Sequence, residues 1–149
     1  MMPNVAVTLT DTANPDLHSV ISQGLRSYNV EMGGVSDHTP LTITIKDSES
    51  GELIGGLLGR TSLGLLFIDL FYLPKTQRGS GLGTRILQMA EAEGFRRGCR
   101  KAVLYTLSFQ APEFYKRFGW SVFGEIALEP PGATRYFMTK DLVAPADGA

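Results

Sequence analysis

Residues 78–84, Arg-Gly-Ser-Gly-Leu-Gly-Thr, follow an apolar run at 65–73 and lead into a helical pattern, so three glycines sit where backbone N–H groups can face an anion. The chemistry this spacing offers is phosphate or pyrophosphate binding. Glycine lets the backbone approach closely, and the first helical turn carries donors with no partner inside the helix. The Arg78 charge adds attraction, and the Ser80 and Thr84 hydroxyls stand ready for further bonds. Two common phosphate fingerprints do not fit. A Walker loop needs Lys after its last glycine, and none is present here. A dinucleotide fingerprint needs a third glycine where Thr84 stands, and an acidic residue roughly 20 positions on, where the chain reads Val103, Leu104, Tyr105.

The strand, the Arg-x-x-Gly-x-Gly turn formed by Arg78, Gly81 and Gly83, and the following helix resemble the central motif of the GNAT superfamily of acyl-CoA-dependent N-acetyltransferases. A second segment, Phe114-Tyr115-Lys116-Arg117-Phe118-Gly119-Trp120, is similar to that family's aromatic-Tyr-x-x-x-Gly-aromatic stretch. Together the two cover roughly residues 65–123. The resemblance implies acetyl-CoA as co-substrate, no metal, and direct transfer of acetyl to a primary amine in a ternary complex. It places the pyrophosphate on Gly79, Ser80, Gly81, Leu82, Gly83 and Thr84, with Arg78 beside it. Pantetheine amides would pair with N–H and C=O groups around Phe71 and Leu73, and an N–H near Leu73 would face the thioester oxygen; Pro74 has no N–H to offer. Ser108 stands where many relatives carry a pantetheine-contacting Asn, with Gln110 as the nearby alternative.

In the same resemblance Tyr115 lies near the sulfur of CoA, and a phenol that stays protonated at neutral pH can return a proton to the departing thiolate. Asp69, the only ionisable residue in 65–73, is the candidate general base. Simple alternation puts it on the face of Phe67 and Phe71, and apolar neighbours there would raise its pKa. A structural carboxylate bonded to a neighbouring loop is the equal alternative. Candidate acceptor contacts are Tyr28, Asn29, Glu31 and Asp37, in a segment over 28–40 that reads as a loop or a broken second helix, and Tyr136 on a closing strand. Two carboxylates there could hold a second cationic centre, which points to a small-molecule amine or polyamine. A peptide amine, or a non-catalytic acyl-CoA-binding module, stays open.

Other chemistry is disfavoured. Cys99 invites an acyl-cysteine route, yet 18 helical residues at 1.5 Å each put it about 27 Å from Gly81. His18 and His38 are too few and too isolated for a metal site. A net charge of −1 without a Lys/Arg run argues against a nucleic-acid partner, and no stretch of about 20 apolar residues argues against a membrane span. One cysteine and the absence of a signal-like N-terminus point to the cytoplasm.

The elements that must position these residues alternate in type. A strand is predicted at 5–10, a helix capped by Asn14 with Pro15 at its first position, and a hairpin at 41–47 and 52–62 turned by Ser-Glu-Ser-Gly. A strand at 65–73 follows, then a helix whose stripe is Leu82, Ile86, Met89 and Ala90. A strand at 101–107, a short helix at 112–119 and two closing strands complete the chain. With the resemblance, this order gives an α/β domain over 1–143, built on a mixed, mostly antiparallel sheet of six to seven strands flanked by about four helices. Residues 144–149 form a flexible tail. The apolar strands near the C-terminus could seam a homodimer.

Overall fold

In the computed structural model, Asp47 Oδ1 accepts the N–H groups of Glu49 and Ser50 at 2.9 and 3.0 Å, closing the predicted Ser-Glu-Ser-Gly turn with Gly51 at φ 73°. That turn joins β1 (Thr39–Lys46) to β2 (Leu53–Ser62), and both lie in a six-stranded sheet with β3 (Leu65–Tyr72), β4 (Lys101–Leu107), β5 (Ser121–Ala127) and β6 (Thr134–Asp141). The order is β1-β2-β3-β4-β6-β5. Only β3 and β4 run parallel; every other pair is antiparallel. The structure describes residues 4–34, 37–129 and 131–145, so residues 146–149 of the tail predicted at 144–149 lie outside it.

The chain divides into two compact units, Met1–Ser36 and Asp37–Ala149. In the first, Asn14 Oδ1 accepts the Leu17 N–H at 3.1 Å and Pro15 opens α1 (Pro15–Glu31), as the cap predicts. The helix continues through Tyr28, Asn29 and Glu31, so the loop expected from Tyr28 begins only at Met32. No glycine or proline interrupts 28–31, and the helix persists until Gly33, at φ 83°, ends it. Residues 5–10 form no strand, a correction to the predicted one: alternation suits a pleated surface, but a strand needs a bonded neighbour. Val35 and Ser36 of the predicted loop lie outside the described residues.

In the second unit, α2 (Leu82–Arg96) crosses from β3 to β4 and packs on the sheet through Gly83, Ile86, Leu87, Ala90 and Gly94. Leu87, not Met89, completes the buried stripe; Met89 is 46% exposed. The helix turns its 3.6-residue period about one position from the predicted face, because Gly83 and Gly94 let it approach Leu73 and Leu66 closely. Leu57, Leu66 and Leu87 are fully buried in the core, at roughly 1.5–3 kcal/mol each. A 3₁₀ turn at Lys75–Gln77 and α3 (Pro112–Lys116) make up the remaining helical structure of this unit. No helix among the described residues is long and apolar enough to cross a membrane.

The C-terminal end of α2 is fastened by charge. Arg97 Nη1 donates to the carbonyls of Thr39 and Pro40 at 3.2 and 3.0 Å and to Thr61 Oγ1 at 3.2 Å, while its Nε reaches Glu93 at 2.7 Å. Hydrogen bonds from Arg96 and then Arg97 hold the Glu93 carboxyl down at about 2. A depressed pKa means that the stabilisation is present above the ordinary value of 4.5 and is lost as pH falls toward 2. With both partners in contact with solvent, screening keeps it at about 0.5–1 kcal/mol. Glu93→Gln is therefore expected to lower the melting temperature by roughly 2–5 °C at pH 7. In parallel thermal melts that difference shrinks as pH drops below 4.5; a pH-independent difference would assign it to packing instead.

Candidate functional site

β3 and β4 exchange hydrogen bonds only over Leu65–Ile68 and Lys101–Leu104, although both strands continue. Beyond that point β3 stays paired to β2, with Leu70 opposite Leu58, Phe71 opposite Leu57 and Tyr72 opposite Gly56. β4 stays paired to β6 through Tyr105, Thr106 and Leu107. The facing edges of the two strands are left open at their C-terminal ends. A polar extended ligand can bond there as a substitute strand.

The opening begins at a β-bulge. Register slips between Leu58 and Gly59, so Asp69 is an extra residue in β3, and Asp69 and Leu70 are exposed in succession. A side chain at Gly59 would collide with the Phe67 carbonyl, so glycine is required where the bulge draws the strands together. The bulge also reverses the alternation that the sequence suggests. Phe67 faces Arg60, whose guanidinium lies 4.1 Å above its ring, whereas Phe71 turns to the opposite face and joins the core. Asp69 consequently does not share a face with Phe71.

The turn after β3 presents a row of free donors. Gly79 and Gly81 both adopt left-handed backbone, at φ 78° and 85°, and Gly81 is the N-cap of α2 without any side-chain cap. Among the described residues, the N–H groups of 79–84 donate to no loop carbonyl, and the first bond into the helix comes from Arg85 to Gly81 O at 3.1 Å. Alternating left-handed glycines before a helix start form a concave nest suited to an anion, and the helix dipole adds to it. These residues fit a pyrophosphate. The side chains next to them are otherwise engaged: Ser80 Oγ donates to Gln77 O at 3.0 Å, and Arg78 Nε donates to Leu73 O at 3.0 Å. Arg78 thus braces the end of β3.

Phe114 brings these pieces together. Its ring edge packs against Gly83 at the start of α2, stands 6.4 Å from Phe71 of β3, and lies 5.3 Å from Tyr115 and 5.2 Å from Phe118. Pro112 starts α3, and Gly119 at φ 91° ends the turn that follows it. Tyr115 is 9% exposed, and burial pushes its phenol up to about 12. Among the described residues no hydrogen bond uses that hydroxyl, and no enclosed side-chain polar atom lacks a partner. A phenol in this setting is protonated at every physiological pH and can donate.

The remaining predicted residues fall in separate places. Asp69 accepts from Arg60 Nη1 at 2.6 Å and is 41% exposed, so a guanidinium stands where an apolar surround was expected. Arg60 was not legible as a site residue, since it meets Asp69 only through the bulged register. Ser108 Oγ accepts the Thr134 N–H at 3.0 Å and its own N–H bonds Thr134 O at 2.8 Å, which pins the end of β4 to β6. Gln110 Oε1 accepts from Thr106 Oγ1 and the Leu107 N–H at 3.2 and 3.0 Å, closing the same turn. Asp37 Oδ1 accepts the Leu63 N–H at 2.7 Å, at the β2–β3 turn. That is the opposite end of β3 from Phe71 and Leu73, roughly 25 Å along the strand. Tyr28, Asn29 and Glu31 lie on the last turns of α1 in the first unit. Tyr136 pairs with Thr106, on the stretch of β4 that borders the opening. Cys99 is buried in the core, and burial pushes its thiol up. No group of three or more His, Cys, Asp or Glu that could hold a metal occurs among the described residues.

Comparison with known proteins agrees with this geometry. The model of the acetyltransferase (GNAT) family matches residues 9–120. An acetyltransferase of Agrobacterium fabrum is 35% identical over 132 residues, covering 89% of this chain and 96% of the relative. Blasticidin-S acetyltransferase of Streptomyces morookaense is 38% identical over 111 residues, covering 72% of this chain and 82% of the relative. A crystal structure of an acetyltransferase from Agrobacterium tumefaciens superimposes with a TM-score of 0.82 at 31% identity, over 92% of this chain and 99% of that one. The chain belongs to the GNAT family and is an acetyl-CoA-dependent N-acetyltransferase.

Proposed function

We propose that this enzyme moves acetyl from acetyl-CoA to a primary amine of a small molecule by direct attack in a ternary complex. The observation that carries the proposal is the opening between β3 and β4, flanked by the N–H nest at 79–84 and joined to Tyr115 through Phe114. The nest holds the pyrophosphate, and the free edge of β3 around Phe71 and Leu73 pairs with the pantetheine amides. An N–H near Leu73 faces the thioester oxygen, and such a preorganised donor is worth about 2.7–4 kcal/mol of barrier. Arg78, by holding the Leu73 carbonyl, fixes the direction of that strand end. Ser108 also holds the β4–β6 junction beside this site.

The amine nitrogen bonds to the acetyl carbon as the C–S bond breaks, the amine loses a proton, and the thiolate gains one. Tyr115 supplies the thiolate proton. Burial raises its pKa, but the same burial raises the proton affinity of a thiolate, so donor and acceptor shift together. Asp69, at the bulge where the opening starts, is the proposed acceptor of the amine proton through water, with Arg60 holding its other reach. For the acceptor molecule, the blasticidin-S relative supports a small amine of antibiotic type over a peptide. Tyr136, beside the open stretch of β4, is its proposed contact.

A CoA-release assay against amines, polyamines, aminoglycosides, blasticidin S and peptides is expected to show turnover with a small-molecule amine. Tyr115→Phe is expected to lower kcat about 10²–10⁴-fold with little change in the KM for acetyl-CoA. Unchanged kcat would remove Tyr115 from the mechanism, and turnover confined to peptides would reverse the acceptor class. Asp69→Asn is expected to lower kcat about tenfold or more with little change in the KM for acetyl-CoA. An unchanged kcat would assign the amine proton to water alone.

A further inference from the structure

Glu91 lies on α2 about two turns after the N–H nest, yet its carboxylate points toward the segment that carries Tyr115. Oε1 accepts from Lys140 Nζ of β6 at 2.6 Å, and Oε2 accepts from Trp120 Nε1 at 3.2 Å. The Glu91 side chain is 14% exposed, and Trp120 is 2% exposed. Trp120 in turn touches Tyr115 twice: its backbone N–H donates to the Tyr115 carbonyl at 3.2 Å, and its ring stands edge-on to the phenol ring at 6.1 Å. The Tyr115 hydroxyl has no protein bond of its own among the described residues, so the ring is aimed by packing alone. Trp120 and Phe114 are its aromatic neighbours.

We infer that Glu91 is a positioning residue for acyl transfer, setting the Tyr115 hydroxyl through Trp120 so that the proton donor keeps a fixed relation to the helix whose N-terminus forms the nest. The inference rests on the reading of Tyr115 as proton donor. One carboxylate ties the helix of the nest, the turn after α3 and the strand next to β4 into a single body. Lys140 compensates the charge, and its stem also covers Gly119, where an added Cβ would stand 3.5 Å from Cε. A partly buried carboxylate with two charge-assisted partners is costly to disturb, and a misplacement of about 1 Å can lower a rate roughly a hundredfold.

The test is a double-mutant cycle on kcat, using Glu91→Ala and Tyr115→Phe, with Glu91→Gln as the conservative variant. Glu91→Ala is expected to lower kcat about ten- to a hundredfold, with the KM for acetyl-CoA within about twofold. In the Tyr115→Phe background the same change is expected to cost less than about twofold, because the group it positions is gone. Glu91→Gln keeps an acceptor for Nε1 and is expected to recover most of the rate; it also serves for the cycle if the alanine variant does not fold. Trp120 is the only tryptophan, so its emission without any ligand reads the contact directly: shifted in Glu91→Ala, near wild type in Glu91→Gln. An equal loss of kcat in both Tyr115 backgrounds, or a loss confined to KM, would overturn the positioning role and leave the donor assignment standing. A Tyr115→Phe enzyme as fast as wild type would refute the donor assignment, and this inference with it.

Discussion

The site depends on where two parallel strands stop bonding to each other. β3 and β4 share a ladder of only four residue pairs, and from Asp69 and Tyr105 onward each is held solely by its other neighbour. An unpaired strand edge inside a protein is ordinarily a liability, since its N–H and C=O groups need partners. Here the divergence is built in by one extra residue at Asp69 and tolerated because β2 and β6 carry the load on either side. The edge so exposed is a polar template of fixed geometry, suited to a ligand that is itself a chain of amides.

Everything else serves to aim three groups at that opening. The left-handed glycines at 79 and 81 strip the start of α2 of backbone partners, and the core contacts of Ile86, Leu87 and Ala90 hold the helix against the same sheet. Arg97 fastens the far end of α2 to β1 and β2, so the helix is anchored at its C-terminal end and free to accept an anion at its N-terminal end. Phe114 packs against both β3 and the start of α2, which brings the short α3 and its tyrosine to the site. A helix of five residues has little stability of its own. Its placement comes from that aromatic packing and from Trp120.

The features legible in the sequence were the local ones. Asn14 and Pro15 mark a helix start, Ser-Glu-Ser-Gly marks a hairpin, and the glycines before α2 mark a left-handed turn into a helix without a side-chain cap, because each acts within a few residues of itself. The bulge at Asp69 has no such signature. Period-two alternation carries Phe67, Asp69 and Phe71 onto one face, and only the partner strand, through Gly59 and its slipped register, shows that Phe71 has crossed to the other. Arg60 beside Asp69 and Glu91 beside Trp120 are likewise products of register and packing between distant segments. The bond that Ser108 Oγ accepts from the Thr134 N–H across the sheet is another such product of register. The stretch at 5–10 shows the converse: alternation was present and a strand was not.

Amide hydrogen exchange, followed residue by residue with and without acetyl-CoA, tests the central claim most directly. Binding to the opened strands and the nest predicts slowed exchange at 79–84 and around Phe71 and Leu73, with little change at the paired residues 65–68. Protection confined to other segments, or none at 79–84 when acetyl-CoA is saturating, would contradict the account.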